Sequence, residues 1–333
     1  MENPRVNLLE YVQSRTQVDY DSFDIEAARE FGRYVDCTSN QFEYYTELAK
    51  NNRKEVLDRA VKFSERNRHK FPSVSFSELA VEAGIVYLAM EMRPLIDGDI
   101  HVMANPRYAF SKQRVVENAK RLHQLCKIID SSFDTSRLVT KVAATWEGLQ
   151  ACRELKYSGI KTLATAVFTM EQAVLAGEVG CTSISPFVHE LKALFDQRYQ
   201  DNDPLLELCT QAQQWYRQES IPTMVKACAT MGVEELLQLA GVDALTIIPG
   251  DLKELRSTYR LENEVKTLSL FGHTSTVPEK LSYPCYIDDE ARYRVEFDAA
   301  EDGKAQLKLG QAITIFSDFQ VKAENLVKAV EKI

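Results

Sequence analysis

Arg137-Leu-Val-Thr-Lys-Val-Ala-Ala-Thr-Trp-Glu-Gly148 predicts a short buried strand that runs into a helix at Thr145-Trp146-Glu147. Lys141 stands in the middle of this strand, between valines and alanines, so its ammonium group is expected to be buried. Burial disfavours the charged form, and a deprotonated amine is a nucleophile toward carbonyl carbons. The alternative is a lysine that is paired with a carboxylate in a crowded core.

Short apolar segments alternate with amphipathic helical segments along the chain. The predicted strands are Gln17–Tyr20, Tyr34–Ser39, Asp99–Met103, Leu138–Ala143, Lys161–Phe168, Thr182–Ser185, Met224–Ala229 and Ala244–Ile248. The clearest predicted helices are Ser77–Met92, Trp146–Leu155, Met170–Leu175, Pro186–Phe195 and Val233–Leu239. Gly159, Gly180 and Gly241 fall where helices are expected to end.

Eight strand–helix units predict an α/β fold, a (β/α)8 TIM barrel, as one domain over residues 1–333. An open, doubly wound sheet is the alternative, but no glycine-rich phosphate fingerprint follows the first strand. The stretch Tyr259 to Gly310 is the least regular, and we expect surface elements that cover the barrel there. A C-terminal helix from about Ile315 is expected to pack on the barrel.

Composition restricts the classes of partner and compartment. The 333-residue chain has a formal net charge of -9 and no basic run, which argues against nucleic acid and acidic membranes. Its seven cysteines are scattered and lack C-x-x-C spacing, as in reduced intracellular proteins. Neither an apolar N-terminal signal region nor a run of membrane-spanning length is present in the sequence. We therefore expect a cytoplasmic protein.

Polar residues cluster at the predicted carboxyl ends of the strands, where barrel enzymes place their active sites. Residues two apart share a strand face, which groups Thr38 with Asn40 and Ser185 with Phe187. Asp21, Asn40 and Ser185 could each be a local cap at a strand-to-helix turn. Their convergence on Lys141 from several strands is harder to explain by capping alone.

Three patches closely resemble the transaldolase family: Asp36-Cys-Thr-Ser-Asn40, the Lys141 segment, and Ile184-Ser-Pro-Phe-Val188. The resemblance extends from about Val18 to the C-terminal helix. It implies that Lys141 forms a Schiff base with the substrate. It also implies that Asp21 exchanges a proton with the sugar hydroxyl and that Thr165 helps to hold a catalytic water.

The same resemblance implies a substrate pocket around the lysine. Asn40 and Ser185 match family residues that hydrogen-bond to substrate hydroxyls, and Thr38 and Phe187 match neighbours that line the pocket. An iminium on Lys141 is an electron sink, and a nearby carboxylate can start retro-aldol cleavage by removing a hydroxyl proton.

Departures from the family pattern surround the lysine. Met103 stands where the family has a proton-shuttling glutamate, and Leu163 replaces an asparagine that binds substrate hydroxyls. Acid–base groups contribute about 10²–10⁴-fold, so a simple loss could cripple Schiff-base formation. His101 should share the strand face of Met103 and could supply the proton transfer. The alternative is a hydrogen-bonded histidine that fills the barrel.

The phosphate site of the family is altered as well. Glu190 aligns with an arginine, and Ala229 and Met231 align with the seventh-strand serine and arginine. A charge pair at ~6 Å with an effective dielectric near ~20 contributes ~3 kcal/mol, and a glutamate reverses its sign toward phosphate. His189, beside Glu190, is expected at the surface.

Three hypotheses about function follow. The first is an ordinary transaldolase, and the second is a Schiff-base-lysine enzyme acting on a non-phosphorylated, less hydroxylated carbonyl compound in a specialised biosynthetic route. The third is a catalytically silent paralogue with a binding or scaffold role. We expect a small carbonyl substrate, no metal and no organic cofactor, and the resemblance leaves a homodimer open.

Overall fold

The chain folds around eight parallel strands that close into a barrel. The computed structural model describes residues 4–271 and 280–331. The ten strands are β1 Arg5–Asn7, β2 Gln17–Asp21, β3 Cys37–Thr38, β4 Ile100–Met103, β5 Leu138–Ala143, β6 Lys161–Val167, β7 Ser183–Pro186, β8 Met224–Ala227, β9 Ala244–Ile247 and β10 Tyr259–Leu261. Strands β2 to β9 form the barrel in sequence order, and β9 pairs with β2. The predicted (β/α)8 fold is confirmed.

Helices connect the barrel strands and cover the barrel. The α-helices are α1 Leu8–Gln13, α2 Ile25–Phe31, α3 Gln41–Leu48, α4 Lys54–Asn67, α5 Phe76–Met92, α6 Lys112–Ile129, α7 Trp146–Tyr157, α8 Met170–Val179, α9 Leu191–Phe195, α10 Leu206–Gln218, α11 Val233–Gln238, α12 Pro249–Ser257, α13 Glu262–Leu268, α14 Glu290–Gly303 and α15 Ala305–Glu331. β1 and β10 pair with each other outside the barrel. In the described part of the chain, no helix is both long and apolar enough to cross a membrane.

The strand that carries Lys141 has the predicted bounds, Leu138–Ala143, and every residue of it is buried. A buried parallel strand packs on both faces, which explains its nearly continuous apolar run. Thr145 caps α7 by accepting a hydrogen bond from the Gly148 amide at 2.9 Å. The predicted strand-to-helix turn is therefore present.

Two predicted elements are much shorter in the structure. The second barrel strand covers only Cys37–Thr38, because the Asp36 carboxylate, rather than a backbone carbonyl, accepts the Asp99 amide. The predicted helix Pro186–Phe195 shrinks to α9. The amides of Phe187 and Val188 continue the extended ladder by bonding to Val167 and Cys228, so helix formation is delayed until Leu191.

The C-terminal helix begins at Ala305, ten residues before the predicted start, and α13 and α14 occupy much of the stretch predicted to be irregular. Residues 272–279 of that stretch lie outside the described residues. Helix α15 packs on the barrel as predicted, against α3, α5 and α9. Since α3 and α9 follow strand ends, α15 crosses the carboxyl end of the barrel.

Candidate active site

A cavity of about 350 Å³ opens at the carboxyl ends of the barrel strands. Its walls come from strand ends, from the helix starts that follow them, and from α15. The lining residues are Asp21, Asn40, Phe42, Glu43, Lys141, Phe187, Leu191, Leu194, Phe195, Cys228, Ala229, Thr230, Thr246, Ile248, Asp251 and Phe316. Five of the residues selected from the sequence are among them: Asp21, Asn40, Lys141, Phe187 and Ala229.

Lys141 lies at the floor of this cavity with only 2% of its surface exposed. It pairs in register with Met103 on β4 and Leu163 on β6, so all three side chains point into the barrel. Among residues 4–271 and 280–331, no carboxylate lies within ion-pairing distance of its amine. The alternative of a lysine paired in the core therefore does not describe Lys141.

Lys226 is the paired lysine of the barrel interior. Its Nζ lies 2.5 Å from Asp19 Oδ2 and 2.7 Å from Asp36 Oδ2, and all three groups are buried. Burial opposes its charge, but the two carboxylates outweigh burial and raise the Lys226 pKa. Sequence reasoning missed this ion cluster, because Lys226 was considered only as part of an apolar strand.

His101 belongs to the same cluster rather than to the cavity. Its Nε2 lies 3.3 Å from Asp36 Oδ2, and its side chain is fully enclosed. On their strands, the cluster residues Asp19, Asp36 and His101 stand two positions before Asp21, Thr38 and Met103. Because residues two apart share a strand face, the cluster forms the layer of side chains beneath that of Lys141. This arrangement agrees with the alternative interpretation of His101 as a hydrogen-bonded residue that fills the barrel.

Asp21 reaches the cavity from the end of β2 and is held by its neighbour strand. The Thr38 hydroxyl donates to Asp21 Oδ1 at 2.6 Å, and the two residues are register partners on β2 and β3. Thr38 is itself completely buried and is not part of the lining. It positions the carboxylate rather than facing the cavity.

Asn40 combines the two roles that the sequence left open. Its Oδ1 caps α3 by accepting from the amides of Phe42 and Glu43, at 2.9 and 3.2 Å. Its side chain also lines the cavity, so its Nδ2 amide remains the group that can donate to a bound molecule.

Glu43 is a cavity residue that sequence reasoning missed. It lies in the first turn of α3, and its Oε2 accepts from the Ser22 hydroxyl at 2.9 Å. Burial raises its pKa to about 8, and the nearby Asp21 carboxylate acts in the same direction, while Lys141 opposes the shift. The signal in the sequence was the spacing Asn40-x-x-Glu43, which is also that of an ordinary helix capping box.

Inward hydroxyl groups surround the lysine layer. Thr165 and Ser183 are buried, and neither hydroxyl has a hydrogen-bond partner in the described part of the chain. Ser185 lies near the Cys228 thiol. β6 bulges after Thr165, where Ala166 has a φ of 57°, and such bulges redirect neighbouring side chains.

The Cys228 thiol also faces the cavity. Burial raises its pKa to about 12, with a smaller opposing effect from Lys141. The reactive form of a cysteine is the thiolate. Cys228 is therefore held in its unreactive, protonated form at neutral pH, and the lysine remains the candidate nucleophile.

An aromatic wall faces the polar side of the cavity. Phe187 packs edge-to-face on Phe168 at 5.6 Å and on Phe316 of α15 at 6.4 Å between ring centroids. Phe42 and Phe195 form a second edge-to-face pair at 4.9 Å. Phe316 could not be found from sequence, since nothing local distinguishes it from the other apolar residues of a long helix.

Two predicted phosphate-site positions lie outside the lining. Glu190 Oε2 accepts hydrogen bonds from Tyr199 at 2.7 Å and Gln311 at 3.0 Å, which hold it beside α15. Met231 is 52% exposed at the surface. Of the three aligned positions, only Ala229 reaches the cavity, where its φ of 58° bends the chain after β8.

The expectation that His189 lies at the surface is wrong, because its side chain is buried and only 4% exposed. Its Nδ1 lies 3.2 Å from Asp201 and its Nε2 lies 2.7 Å from Glu235. Burial opposes its charge, but the hydrogen bonds and charges of these two carboxylates raise its pKa. His189 ties the loop after β7 to α11 because it has a carboxylate partner on each side.

The described part of the chain contains no cluster of three or more histidine, cysteine, aspartate or glutamate residues that could hold a metal ion. The cavity side chains supply an amine without an ion-pair partner among the described residues, together with carboxyl groups and hydroxyls beside an apolar wall.

Comparisons with known proteins find a matching family and similar relatives. A sequence profile of the transaldolase/fructose-6-phosphate aldolase family matches residues 18–324. A protein named transaldolase from Pseudoalteromonas atlantica is 30% identical over 333 residues, covering 97% of this chain and 99% of the relative. Transaldolase A of Escherichia coli K12 is 28% identical over 333 residues, with the same two coverages. A transaldolase of Shewanella frigidimarina is 30% identical over 338 residues.

Proposed function

Because this chain belongs to the transaldolase/fructose-6-phosphate aldolase family, we propose that it catalyses aldol-type transfer or cleavage through an iminium on Lys141. The observation that carries this proposal is the buried amine of Lys141, which faces a cavity without an ion-pair partner among the described residues. Buried lysines are normally paired, as Lys226 is. An unpaired one beside a carboxylate has the arrangement of a nucleophile.

The chemistry follows from the groups around the amine. The Lys141 nitrogen attacks a ketone carbon, and loss of water leaves a carbon–nitrogen double bond that attracts electrons. Asp21 then removes the proton of a hydroxyl two carbons from the iminium carbon, and the bond between the hydroxyl-bearing carbon and the carbon next to the iminium carbon breaks. The electron pair of that bond moves onto the iminium to form an enamine. Addition of the enamine to an acceptor aldehyde runs these steps in reverse. The proposal requires neither a metal nor an organic cofactor.

The lining supports a substrate without phosphate. Among the described residues, Lys141 is the only basic residue of the lining, which also contains three carboxyl residues: Asp21, Glu43 and Asp251. The remaining wall is largely aromatic or aliphatic. A phosphate in water-poor surroundings needs cationic or amide partners, and the Asp21 carboxylate repels it. We therefore propose a small, less polar carbonyl substrate.

Ordinary transaldolase activity is the second candidate. Relatives of that name match 97% of this chain, which is the observation in its favour. The candidates differ in the charge of the substrate, so turnover of phosphorylated sugars distinguishes them. A silent paralogue is the third reading, and an unpaired buried lysine without a chemical role counts against it, since it would be a stability liability.

Reductive trapping tests the proposal. The protein is incubated with borohydride and, in turn, hydroxyacetone, dihydroxyacetone and fructose 6-phosphate, and the intact mass and the modified peptide are measured. We expect an adduct on Lys141 with at least one of these ketones and none with Lys141→Arg. Modification of Lys226 instead, or no adduct with any ketone, would refute the proposal.

A further inference from the structure

The carboxyl group of Glu43 has an unusual place for a residue in the first turn of a helix. In a capping box, the glutamate three residues after the cap bonds back to the amide of the cap residue. Here the Glu43 side chain instead crosses to the loop after β2, where Ser22 donates to its Oε2 at 2.9 Å. No hydrogen bond reaches its other oxygen within the described residues, and the side chain lines the cavity.

Ser22 holds this orientation firmly. The hydroxyl of Ser22 accepts the Asp24 amide at 3.0 Å and therefore has its own proton to donate to Glu43. Ser22 is buried. The Glu43 carboxyl group is thus fixed between the loop after β2 and the lysine side of the cavity.

Imine formation at the lysine requires a group that both accepts and donates a proton near neutral pH. The Cys228 thiol holds its proton too tightly, because burial raises its pKa to about 12. The Asp21 carboxylate, one oxygen of which Thr38 holds, is the base that the proposed function assigns to the substrate hydroxyl during cleavage. Met103, the register partner of Lys141, has no transferable proton. Among the lining groups close to the lysine, Glu43 remains.

The electrostatic surroundings of Glu43 fit this requirement. The titratable groups that face it are Asp21 on β2, Glu47 on its own helix, Lys141 on β5, and Tyr20 and Cys37 on β2 and β3. Burial and Asp21 raise the Glu43 pKa to about 8, although the amino end of a helix ordinarily favours the carboxylate. Both protonation states are therefore accessible near pH 7, which is the optimum for proton transfer.

We propose that Glu43 is the general acid–base residue for imine formation and imine hydrolysis at Lys141, an inference that rests on the proposed function. It takes over the proton transfer that Met103 cannot perform. The residue enters the site from α3, not from β4.

Each proton that Glu43 accepts in this step is returned before the step ends. The carboxylate form of Glu43 accepts a proton from the Lys141 ammonium, directly or through a water, which frees the nitrogen lone pair to attack the ketone carbon. A second proton moves from the nitrogen of the adduct to its oxygen. Glu43 then returns its proton to that hydroxyl, which leaves as water while the nitrogen lone pair forms the carbon–nitrogen double bond. The net change converts ammonium and ketone into iminium and water.

The test measures the rate of adduct formation rather than its final yield. Parent protein, Glu43→Gln and Glu43→Asp are mixed with hydroxyacetone and cyanoborohydride, sampled over time between pH 6 and pH 9.5, and analysed by intact mass. Glutamine retains the shape of the protonated acid but transfers no proton. We expect Glu43→Gln to slow trapping on the order of 10²–10⁴-fold and to lose the rise in trapping rate toward about pH 8 that ionisation of Glu43 gives the parent. Glu43→Asp should retain part of the parental trapping rate and part of its pH dependence.

Glu55→Gln is the matched control, because Glu55 also lies in the first turn of a helix, α4, but is exposed. It should behave as the parent. Far-ultraviolet circular dichroism and thermal melting of each variant verify the fold. If Glu43→Gln traps at the parental rate with the parental pH profile, the inference is wrong and the proposed function stands. If parent Lys141 forms no adduct with any ketone tested, the proposed function itself fails.

Discussion

The Thr38 hydroxyl donates a 2.6 Å hydrogen bond to the Asp21 carboxylate, across the first two strands of the barrel. A bond from a hydroxyl to a charged group contributes about 1.5–3 kcal/mol. It fixes one carboxylate oxygen and leaves the other for the cavity. The position of Asp21 relative to Lys141 therefore depends on a residue that does not itself line the cavity.

Replacement of Asp21 should separate imine formation from bond cleavage. With Asp21→Asn, a ketone should still be trapped on Lys141, but the amide cannot remove the substrate hydroxyl proton, so the adduct should accumulate. Thr38→Val should reduce turnover about 10-fold by loosening the carboxylate, whereas Thr46→Val on the exposed side of α3 should not. If Asp21→Asn turns over substrate at the parental rate, Asp21 has no catalytic role and serves only at the end of its strand.

Replacement of Thr165 should change the rate of imine formation more than the free energy of unfolding. Its buried hydroxyl has no hydrogen-bond partner in the described part of the chain, so Thr165→Val removes a group that is costly to bury. We expect the free energy of unfolding to stay constant or rise by up to about 1 kcal/mol. If Thr165 holds a catalytic water near Lys141, as the resemblance to the family implies, the same variant should slow imine formation. Urea denaturation and timed borohydride trapping measure the two effects, and an unchanged trapping rate would contradict the role.

Phosphorylated sugars should be very poor substrates. No arginine is present among the lining residues that the structure describes, and the Glu190 carboxylate is held by Tyr199 and Gln311 beside α15. A coupled assay with fructose 6-phosphate and erythrose 4-phosphate should give rates several orders of magnitude below those with a preferred neutral ketone and aldehyde pair. Ordinary transaldolase rates in this assay would contradict this prediction and would favour the second candidate function, ordinary transaldolase activity.

The interior lysine cluster should be essential for stability but not for trapping chemistry. Lys226→Met would leave Asp19 and Asp36 buried without their cation, which costs about 3–5 kcal/mol when one partner of a buried pair is removed. The double variant Lys226→Met with Asp19→Asn should recover part of that loss. Urea denaturation measures both. A Lys226→Met protein as stable as the parent would show that the cluster is not an energetic unit.

Glu43 should give the protein a measurable loss of stability with rising pH. Its folded-state pKa of about 8 lies above the ordinary value of 4.5, so between these limits the folded state retains a proton that the unfolded state releases. Stability from this group is complete below about pH 4.5 and falls as pH rises toward 8, by at most about 1.4 kcal/mol per pH unit.

The matched comparison for this effect is Glu43→Gln, which cannot titrate. We expect the difference in free energy of unfolding, parent minus variant, to decrease steadily from pH 5 to pH 8 and to level off above that. Parallel curves for the two proteins across this range would show that Glu43 does not retain its proton in the folded state.

The sequence by itself determined the barrel and its lysine. Eight apolar segments of strand length, separated by helical periodicity, can bury both faces only in a parallel sheet covered by helices, and Leu138–Ala143 was located to the residue. Two-residue spacing grouped Thr38 with Asn40 and Ser185 with Phe187 at the strand ends, because side-chain alternation is a local property of strands.

Only the tertiary structure decided which of these groups meet in the cavity. Glu43 and Phe316 lie 98 and 175 residues from Lys141 in the chain, and no local pattern reports such contacts. It also distinguished the two buried lysines: both stand in apolar strands, but Lys226 meets two carboxylates and Lys141 meets none among the described residues. The charge environment of a buried group depends on which strands close the barrel around it, and this is set by packing across the whole chain.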